Sequence, residues 1–335
     1  MNTETGKAAA HLLHQKPAKS PAARTTAEPD PERLPESHKV WDVRKGQADD
    51  VADLYAKAKV EKVSKHAAKV AACSQTVILS NVINRETGEL GHKAESWKCR
   101  ERHCPICQSA RARKLHRAFT AALPAIMAEV PEGRFLLLTL TVRNCPIAEL
   151  RATLADMGKA WKRLIRKPEF QIVRGWVRGS EVTRSDSGEA HPHFHALLLV
   201  PPYYFAGKSY IKQAQWIELW QDAARLNYTP SVDIRRVKTP EGGLSEAIKA
   251  ATYSVKPSEL TTEPAWFHAL HVQVSGLRFL ATGGVIKAAL GAKAEGEAED
   301  LAQGPEPQGE EVQKRVFGWN RPRRQYRLKG TAPKV

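Results

Sequence analysis

Alternating apolar positions predict a sheet in the middle of the chain. In "RFLLLTLTVRN", Leu136, Leu138 and Leu140 fall on one face of an extended backbone. "GWVRGSEVTRSDSGEAHPHFHALLLV" has the form of two strands joined by a polar turn at 185–188. "SVDIRRVK" predicts a further strand. Because one connection has the form of a hairpin, we expect the sheet to be mainly antiparallel.

Helical periodicity separates these strands. Apolar residues recur at helical spacing in 147–167, 210–226 and 244–256, and 41–75 is mostly helical in period and strongly charged. Strands that interleave with helices predict an α+β fold, in which a central, mainly antiparallel sheet is flanked by helices.

Shifts in composition divide the chain into five predicted parts. The first and the last two have the low-complexity or strongly charged composition of segments outside a packed core, so we expect both termini to be disordered. The predicted parts are a disordered segment (1–40), a helical and cysteine-rich zinc-binding region (41–130), a central sheet domain (131–285), an acidic linker (286–312) and a basic C-terminal tail (313–335).

The charge narrows the class of partner. A formal net charge of +16 is unusual for an enzyme of small molecules and suits a polyanion, with nucleic acid ahead of an anionic membrane surface. No stretch approaches the ~18 consecutive apolar residues of a membrane span. The N-terminus has no signal-peptide core, so we expect a cytoplasmic protein that does not bind membranes.

A cysteine cluster predicts a structural zinc site. "CRERHCPIC" supplies Cys99, Cys104 and Cys107, and Cys73 lies upstream as a fourth thiol. Four soft ligands in a tetrahedron are what Zn²⁺ prefers, and the tight Cys-Pro-Ile-Cys turn brings two of them together. His103 competes for the fourth position. The alternative interpretation is a set of buried thiols that bind no metal.

Three histidines at every second position open a buried strand. In "HPHFHALLLV", His191, His193 and His195 share one face of the strand, and Phe194 lies on the other. Two imidazoles on a rigid strand can bind one metal ion. They can equally be paired with carboxylates or water at the edge of a sheet.

One predicted helix groups a tyrosine with charged side chains. In "LSEAIKAATYSVK", Glu246, Lys249, Tyr253 and Lys256 fall on the side opposite the apolar residues. Tyrosine can act as a nucleophile when a cation polarises its target. The simpler interpretation is an exposed face of an amphipathic helix.

Taken in order, these segments resemble the plasmid rolling-circle replication initiator (Rep) proteins of the HUH endonuclease superfamily. The resemblance spans residues 73–285, and its most specific parts are "HPHFHALL" and the downstream "YSVK". It implies the HUH endonuclease-like fold. It also implies that His193 and His195 bind Mg²⁺ or Mn²⁺, with Glu181 of "GSEVT" as the expected third ligand.

The resemblance further implies the reaction. Tyr253 would attack a phosphate of plasmid origin DNA, single-stranded or extruded as a hairpin, with Lys256 as the phosphate partner. The products would be a 5′-phosphotyrosine link and a free 3′-hydroxyl that primes replication by a host DNA polymerase, with a host helicase to unwind the template.

The chain departs from the family pattern near the tyrosine. Lys249 stands where these initiators have a glutamate that activates water for the closing step, so Glu246 either replaces it or termination uses another nucleophile. Two classes of alternative stay open. One is an IS91-like transposase or a mobilisation relaxase with the same chemistry. The other is a zinc-stabilised DNA-binding protein without catalysis.

Overall fold

The computed structural model describes most of the chain, and its elements are numbered through the described part. The described residues are 30, 32–35, 38–84, 87–88, 90–237, 263–291 and 310–332. The helices are α1 (Val40–Ala56), α2 (Glu61–Ser64), α3 (His66–Ala72), α4 (Pro105–Glu129), α5 (Leu150–Leu164), α6 (Gln213–Ala224), α7 (Pro264–Val274) and α8 (Gly284–Leu290). The strands are β1 (Thr76–Ile83), β2 (Leu90–Glu95), β3 (Arg134–Thr141), β4 (Gly175–Arg184), β5 (Ala190–Val200), β6 (Val232–Arg236), β7 (Leu280–Gly283), β8 (Glu310–Asn320) and β9 (Gln325–Ala332).

Several predicted segments lie wholly or mostly outside the described residues. They are the N-terminal segment 1–40, the tyrosine helix 244–256 and the acidic linker 286–312. The division of the chain into five parts therefore stays a prediction.

The larger sheet has five strands in the order β6-β3-β5-β4-β7, and every neighbouring pair is antiparallel. The predicted hairpin is confirmed. In its turn, Ser185 N–H donates to the carbonyl oxygen of Glu189 at 2.9 Å, and Gly188 adopts a φ of 85° that favours glycine. The predicted α+β class with antiparallel strands is confirmed as well.

Helices cover both faces of this sheet because its strands carry apolar residues on both faces. On one face, the even-numbered side chains of β5 pack against α5 and α6, where Trp161, Trp216 and Trp220 are buried. On the other face, Leu197 and Leu199 pack against α4 and α8 through Phe119 and Ile286. Trp216 and Trp220 are therefore core residues.

The second sheet joins the two ends of the chain. Its four strands have the order β2-β1-β8-β9, so the basic tail supplies half of it. Val77 of β1 lies opposite Phe317 of β8, and both are fully buried together with Leu79 and Tyr326. The prediction of a disordered C-terminus is therefore wrong for the described residues 313–332, which lie in β8, in β9 and in the turn between them. Basic residues are so frequent here that the apolar alternation is short, and the partner strand β1 lies more than 200 residues away.

Acidic residues of α1 bind the turn between β8 and β9. Arg321 pairs with Asp53 at 2.6 Å, and Arg324 pairs with Asp50 at 2.8 Å. The indole N–H of Trp319 donates to Asp49 at 2.7 Å. Part of the tail's charge is therefore neutralised within the protein. No helix in the described ranges is both long enough and apolar enough to cross a membrane.

Candidate active site and metal centre

One face of the larger sheet changes from apolar to polar along its strands. On β5, Leu197 and Leu199 are followed towards the strand's start by His195 and His193. The pairing of β4 with β5 places Glu181 directly opposite His193. Since directly paired residues point to the same face, the hairpin brings the carboxylate to the two imidazoles.

These three side chains, the histidine–glutamate group, converge on one point. Glu181 Oε2 lies 2.9 Å from His195 Nε2 and 3.2 Å from His193 Nε2. One ligand atom from each residue lies within 4.8 Å of the other two. Glu181 and His193 are buried, and His195 is half-buried. Two imidazole nitrogens and a carboxylate oxygen form a donor set that suits Mn²⁺ and similar divalent ions.

The electrostatics keep the carboxyl ionised. Burial of Glu181 raises its pKa, but hydrogen bonds from His193 and His195 together with the charges of the two imidazoles outweigh burial and lower the pKa to about 2. A carboxylate that is already deprotonated needs to lose no proton before it binds a cation.

Outer hydrogen bonds orient both rings. His193 Nδ1 donates to the carbonyl oxygen of His191 at 3.2 Å, and Thr139 Oγ1 lies 3.1 Å from His195 Nδ1. Each ring therefore turns its Nε2 towards Glu181, which is the arrangement that supports a metal ligand. Alternation along β3 places Thr139 on the face opposite Leu138 and Leu140, which is the face that carries the histidines. The sequence indicates this through "LTLT", residues 138–141, in which the threonines alternate with buried leucines.

His191 lies one position further along the same face. Its ring centroid is 5.2 Å from that of His193. Burial and the charge of His193 lower the pKa of His191. Within the described residues, the convergent group contains His193, His195 and Glu181 and does not include His191.

The four predicted cysteines also come together. Cys73 follows α3, Cys99 follows β2, and Cys104 and Cys107 flank the start of α4. The Sγ–Sγ distances are 3.7 Å for Cys73 to Cys107 and 3.6 Å for Cys99 to Cys107. A tetrahedron with Zn–S bonds of about 2.3 Å has sulfur–sulfur edges of about 3.8 Å, so the spacing fits a tetrathiolate zinc site.

Cys73, and not His103, completes this cysteine group. The neighbouring thiols Cys104, Cys107 and Cys99 hydrogen-bond to Cys73 and hold the pKa of its thiol far below the ordinary value. A thiolate is the form that binds zinc. His103 is fully buried and packs instead against Phe267 and His271.

The predicted nucleophile and its partners cannot be placed in the fold. Tyr253, Lys256, Glu246 and Lys249 all lie in 238–262, outside the described residues. Their roles stay predictions from the sequence.

The chain matches a known protein family over most of its length. A family model described as "Replication protein" matches residues 91–327, which is more than half of the chain. The chain belongs to this replication protein family. The resemblance to replication initiator (Rep) proteins is thereby confirmed at the level of the family.

The chain is also similar to several bacterial proteins named "Protein rep". The chain is 36% identical over 200 residues to "Protein rep" of Streptococcus pneumoniae serotype 2, which covers 58% of this chain and 61% of that protein. It is 32% identical over 217 residues to "Protein rep" of Lactiplantibacillus plantarum, which covers 61% of this chain and 68% of that protein. It is 38% identical over 178 residues to "Protein rep" of a Bacillus species, covering 52% and 56%.

The family match covers most of the candidate site residues. The matched range includes Glu181, both histidines of the group and Tyr253, together with three of the four cysteines; Cys73 lies upstream of it. No solved structure matches the chain.

Proposed function

We propose that this protein initiates plasmid replication by nicking one strand of origin DNA in a metal-dependent tyrosine transesterification. The observation that carries the proposal is the histidine–glutamate group, which lies at the polar end of the larger sheet in a chain of the replication protein family. Two histidines and a glutamate whose donor atoms converge, with both ring orientations fixed from outside the group, fit a divalent cation.

The group would hold Mg²⁺ or Mn²⁺ through His193 Nε2, His195 Nε2 and a carboxylate oxygen of Glu181. The bound ion would polarise the scissile phosphate and stabilise the charge that develops on it. Thr139 and the carbonyl of His191 keep the two rings in place during this step. Such preorganisation matters because positioning supplies much of the rate in a transesterification.

Tyr253 is the proposed nucleophile. Its hydroxyl oxygen bonds to the phosphorus and loses its proton, while the bond from phosphorus to the 3′ oxygen breaks and that oxygen gains a proton. The products are a 5′-phosphotyrosine link and a free 3′-hydroxyl, which a host polymerase would extend by rolling-circle replication after a host helicase opens the duplex. Lys256 would pair with the phosphate, and Glu246 would serve the closing step.

The cysteine group is proposed to be a structural zinc site in an N-terminal zinc module. Its four sulfurs leave no position open for a substrate, which is typical of structural zinc. The overall basic charge favours the phosphate backbone of DNA as the partner. The family membership favours a replication initiator over a transposase or relaxase, whose chemistry would be the same.

A cleavage assay tests the proposal. Purified protein is mixed with supercoiled plasmid that carries the presumed origin, with Mn²⁺ or with chelator, and the reaction is stopped in detergent. We expect nicked circles with protein on the 5′ end in Mn²⁺ only. Tyr253→Phe and His193→Ala should abolish the adduct, whereas Tyr210→Phe, a change at an exposed tyrosine, should not.

Two results would redirect the proposal. Adducts that survive Tyr253→Phe would assign the nucleophile to another tyrosine. Tight DNA binding without any nick in Mg²⁺ or Mn²⁺ would leave the protein as a zinc-stabilised DNA-binding protein without catalysis.

A further inference from the structure

An arginine stacks on a tyrosine where β3 leaves the larger sheet. The guanidinium carbon of Arg143 lies 3.9 Å from the ring centroid of Tyr228, the shortest such contact among the described residues. The backbone N–H of Arg143 also donates to the Tyr228 hydroxyl at 2.9 Å. The tyrosine is thus fixed at its hydroxyl, and the arginine is held over its ring.

This pair lies at the polar end of the sheet. Thr141, two residues before Arg143, pairs with His193 of the histidine–glutamate group. Two residues after Arg143, Cys145 forms a bridge with Ala190 at the start of β5. Arg143 therefore lies between two points at which the chain contacts the histidine strand, close to the proposed metal site.

The guanidinium charge of Arg143 is not neutralised by a carboxylate in the described part of the chain. Other exposed or half-buried arginines of the larger sheet pair with carboxylates: Arg184 with Glu263 at 2.6 Å and Arg235 with Asp233 at 2.7 Å. Among the described residues, no carboxylate forms an ion pair with Arg143, and its side chain is exposed. A guanidinium stacked on an aromatic ring keeps its N–H donors free at the edge and loses little entropy when it binds.

We propose that Arg143 binds a phosphate of the DNA strand that enters the histidine–glutamate group, and that Tyr228 is its positioning residue. The inference rests on the proposed function, because it takes single-stranded DNA to be the molecule bound there. A planar guanidinium recognises a phosphate with two parallel hydrogen bonds, which a lysine cannot reproduce. Stacking on Tyr228 holds it in one orientation beside the site.

The salt dependence of binding tests this contact directly. Affinity for a fluorescein-labelled oligothymidine is measured by anisotropy at several salt concentrations, in buffer without added Mn²⁺ or Mg²⁺. Each phosphate contact on a single strand contributes about 0.7 to the slope of log affinity against log salt. We expect Arg143→Ala to reduce that slope by about 0.7 and to weaken binding, and Arg143→Lys to keep the slope while weakening binding.

Arg236→Ala is the matched control. Arg236 is also exposed and also lies over an aromatic ring, that of Phe205 at 5.1 Å, but it stands at the far end of β6. It should leave the slope unchanged. Tyr228→Leu should preserve the slope and lower affinity, since the charge remains but its orientation is lost.

The outcomes separate this inference from the proposed function. A slope for Arg143→Ala equal to that of the wild type overturns the inference, even if the wild type nicks plasmid in Mn²⁺. Equal loss of slope in Arg236→Ala also overturns it, because the effect would then be one of net charge. Absence of nicking by the wild type counts against the proposed function alone, since the slope is measured without added Mn²⁺ or Mg²⁺.

Discussion

Two hydrogen bonds to single atoms decide what the histidine–glutamate group can bind. His193 and His195 each have one ring nitrogen occupied by an oxygen outside the group, so only the other faces Glu181. A ring flip would break the outer bond and withdraw Nε2. Residues outside the group therefore set the geometry of the proposed metal ligands.

Removal of the Thr139 hydroxyl should weaken metal binding. Thr139→Val keeps the shape of the side chain but leaves His195 Nδ1 without its partner, and loss of such an outer contact typically costs about 10–100-fold in metal affinity. Isothermal titration with Mn²⁺ measures the change. Thr141→Val is the control, because that hydroxyl donates to the carbonyl of Ser231 and not to a histidine. Equal losses in the two variants would contradict the role of Thr139.

The ionised Glu181 should stabilise the metal-free protein in a defined pH range. Its folded pKa of about 2 lies below the ordinary 4.5, so the contribution is complete above 4.5 and is lost as the pH falls towards 2. We expect Glu181→Gln to cost about 1.5–3 kcal/mol near neutral pH, with the difference from wild type shrinking on acidification. Urea unfolding without added Mn²⁺ or Mg²⁺ at a series of pH values measures this. Glu169→Gln, at an exposed glutamate, should show no such trend.

At the scale of elements, local patterns predict local pairings. The hairpin of β4 and β5 could be predicted because both strands and their turn are contiguous, and its register then places Glu181 opposite His193. Parity within a strand also predicts that His193 and His195 share a face. The helix that carries Trp216 and Trp220 follows from its spacing in the same way.

Pairings between distant segments leave no such local signal. β1 pairs with β8 across more than 200 residues, and the sequence of neither strand indicates which segment is its partner. In β8, Phe317 and Trp319 alternate with small or polar residues, but the surrounding arginines dominate the composition. Two of those arginines, Arg321 and Arg324, pair with Asp53 and Asp50 of α1, which are as distant in sequence as β1 is from β8.

A single buried hydroxyl should show that the C-terminal hairpin is part of the fold. Tyr326 of β9 is fully buried and donates to the carbonyl oxygen of Ser74 at 2.6 Å, next to Cys73. Tyr326→Phe leaves that carbonyl without its partner, so we expect a loss of about 1–3 kcal/mol in the free energy of unfolding. Urea unfolding measures it. Tyr203→Phe, at a largely exposed tyrosine, should change the free energy of unfolding little. If Tyr326→Phe changed it no more than Tyr203→Phe does, the buried hydroxyl of the C-terminal hairpin would not stabilise the fold.

At the scale of the whole molecule, α4 connects the two candidate metal centres. Its first residues follow Cys104 and include Cys107, while Leu115, Phe119 and Ile126 further along pack on the sheet face that carries the histidines. The two centres nevertheless differ in chemistry. Four thiolates select a soft ion such as Zn²⁺, and imidazole with carboxylate suits Mn²⁺ or Mg²⁺.

Variants at the two centres should therefore have opposite effects on metal content and on cleavage. We expect Cys73→Ser to lower bound zinc from one ion per chain to none, and to lower the melting temperature, because zinc binding is coupled to folding. Glu181→Gln should keep the zinc and the melting temperature in Mn²⁺-free buffer near wild type at low pH, yet lose Mn²⁺-dependent nicking. Elemental analysis, thermal unfolding and the plasmid assay give the three readouts.

Cys145→Ser is the control for the thiol, since Cys145 is buried apart from the cysteine group and should keep the zinc. If Cys73→Ser retained zinc, the fourth ligand would be another residue. If Glu181→Gln lost zinc as well, the two centres would not be independent, and a structural change at the histidine–glutamate group would reach the cysteine group through α4.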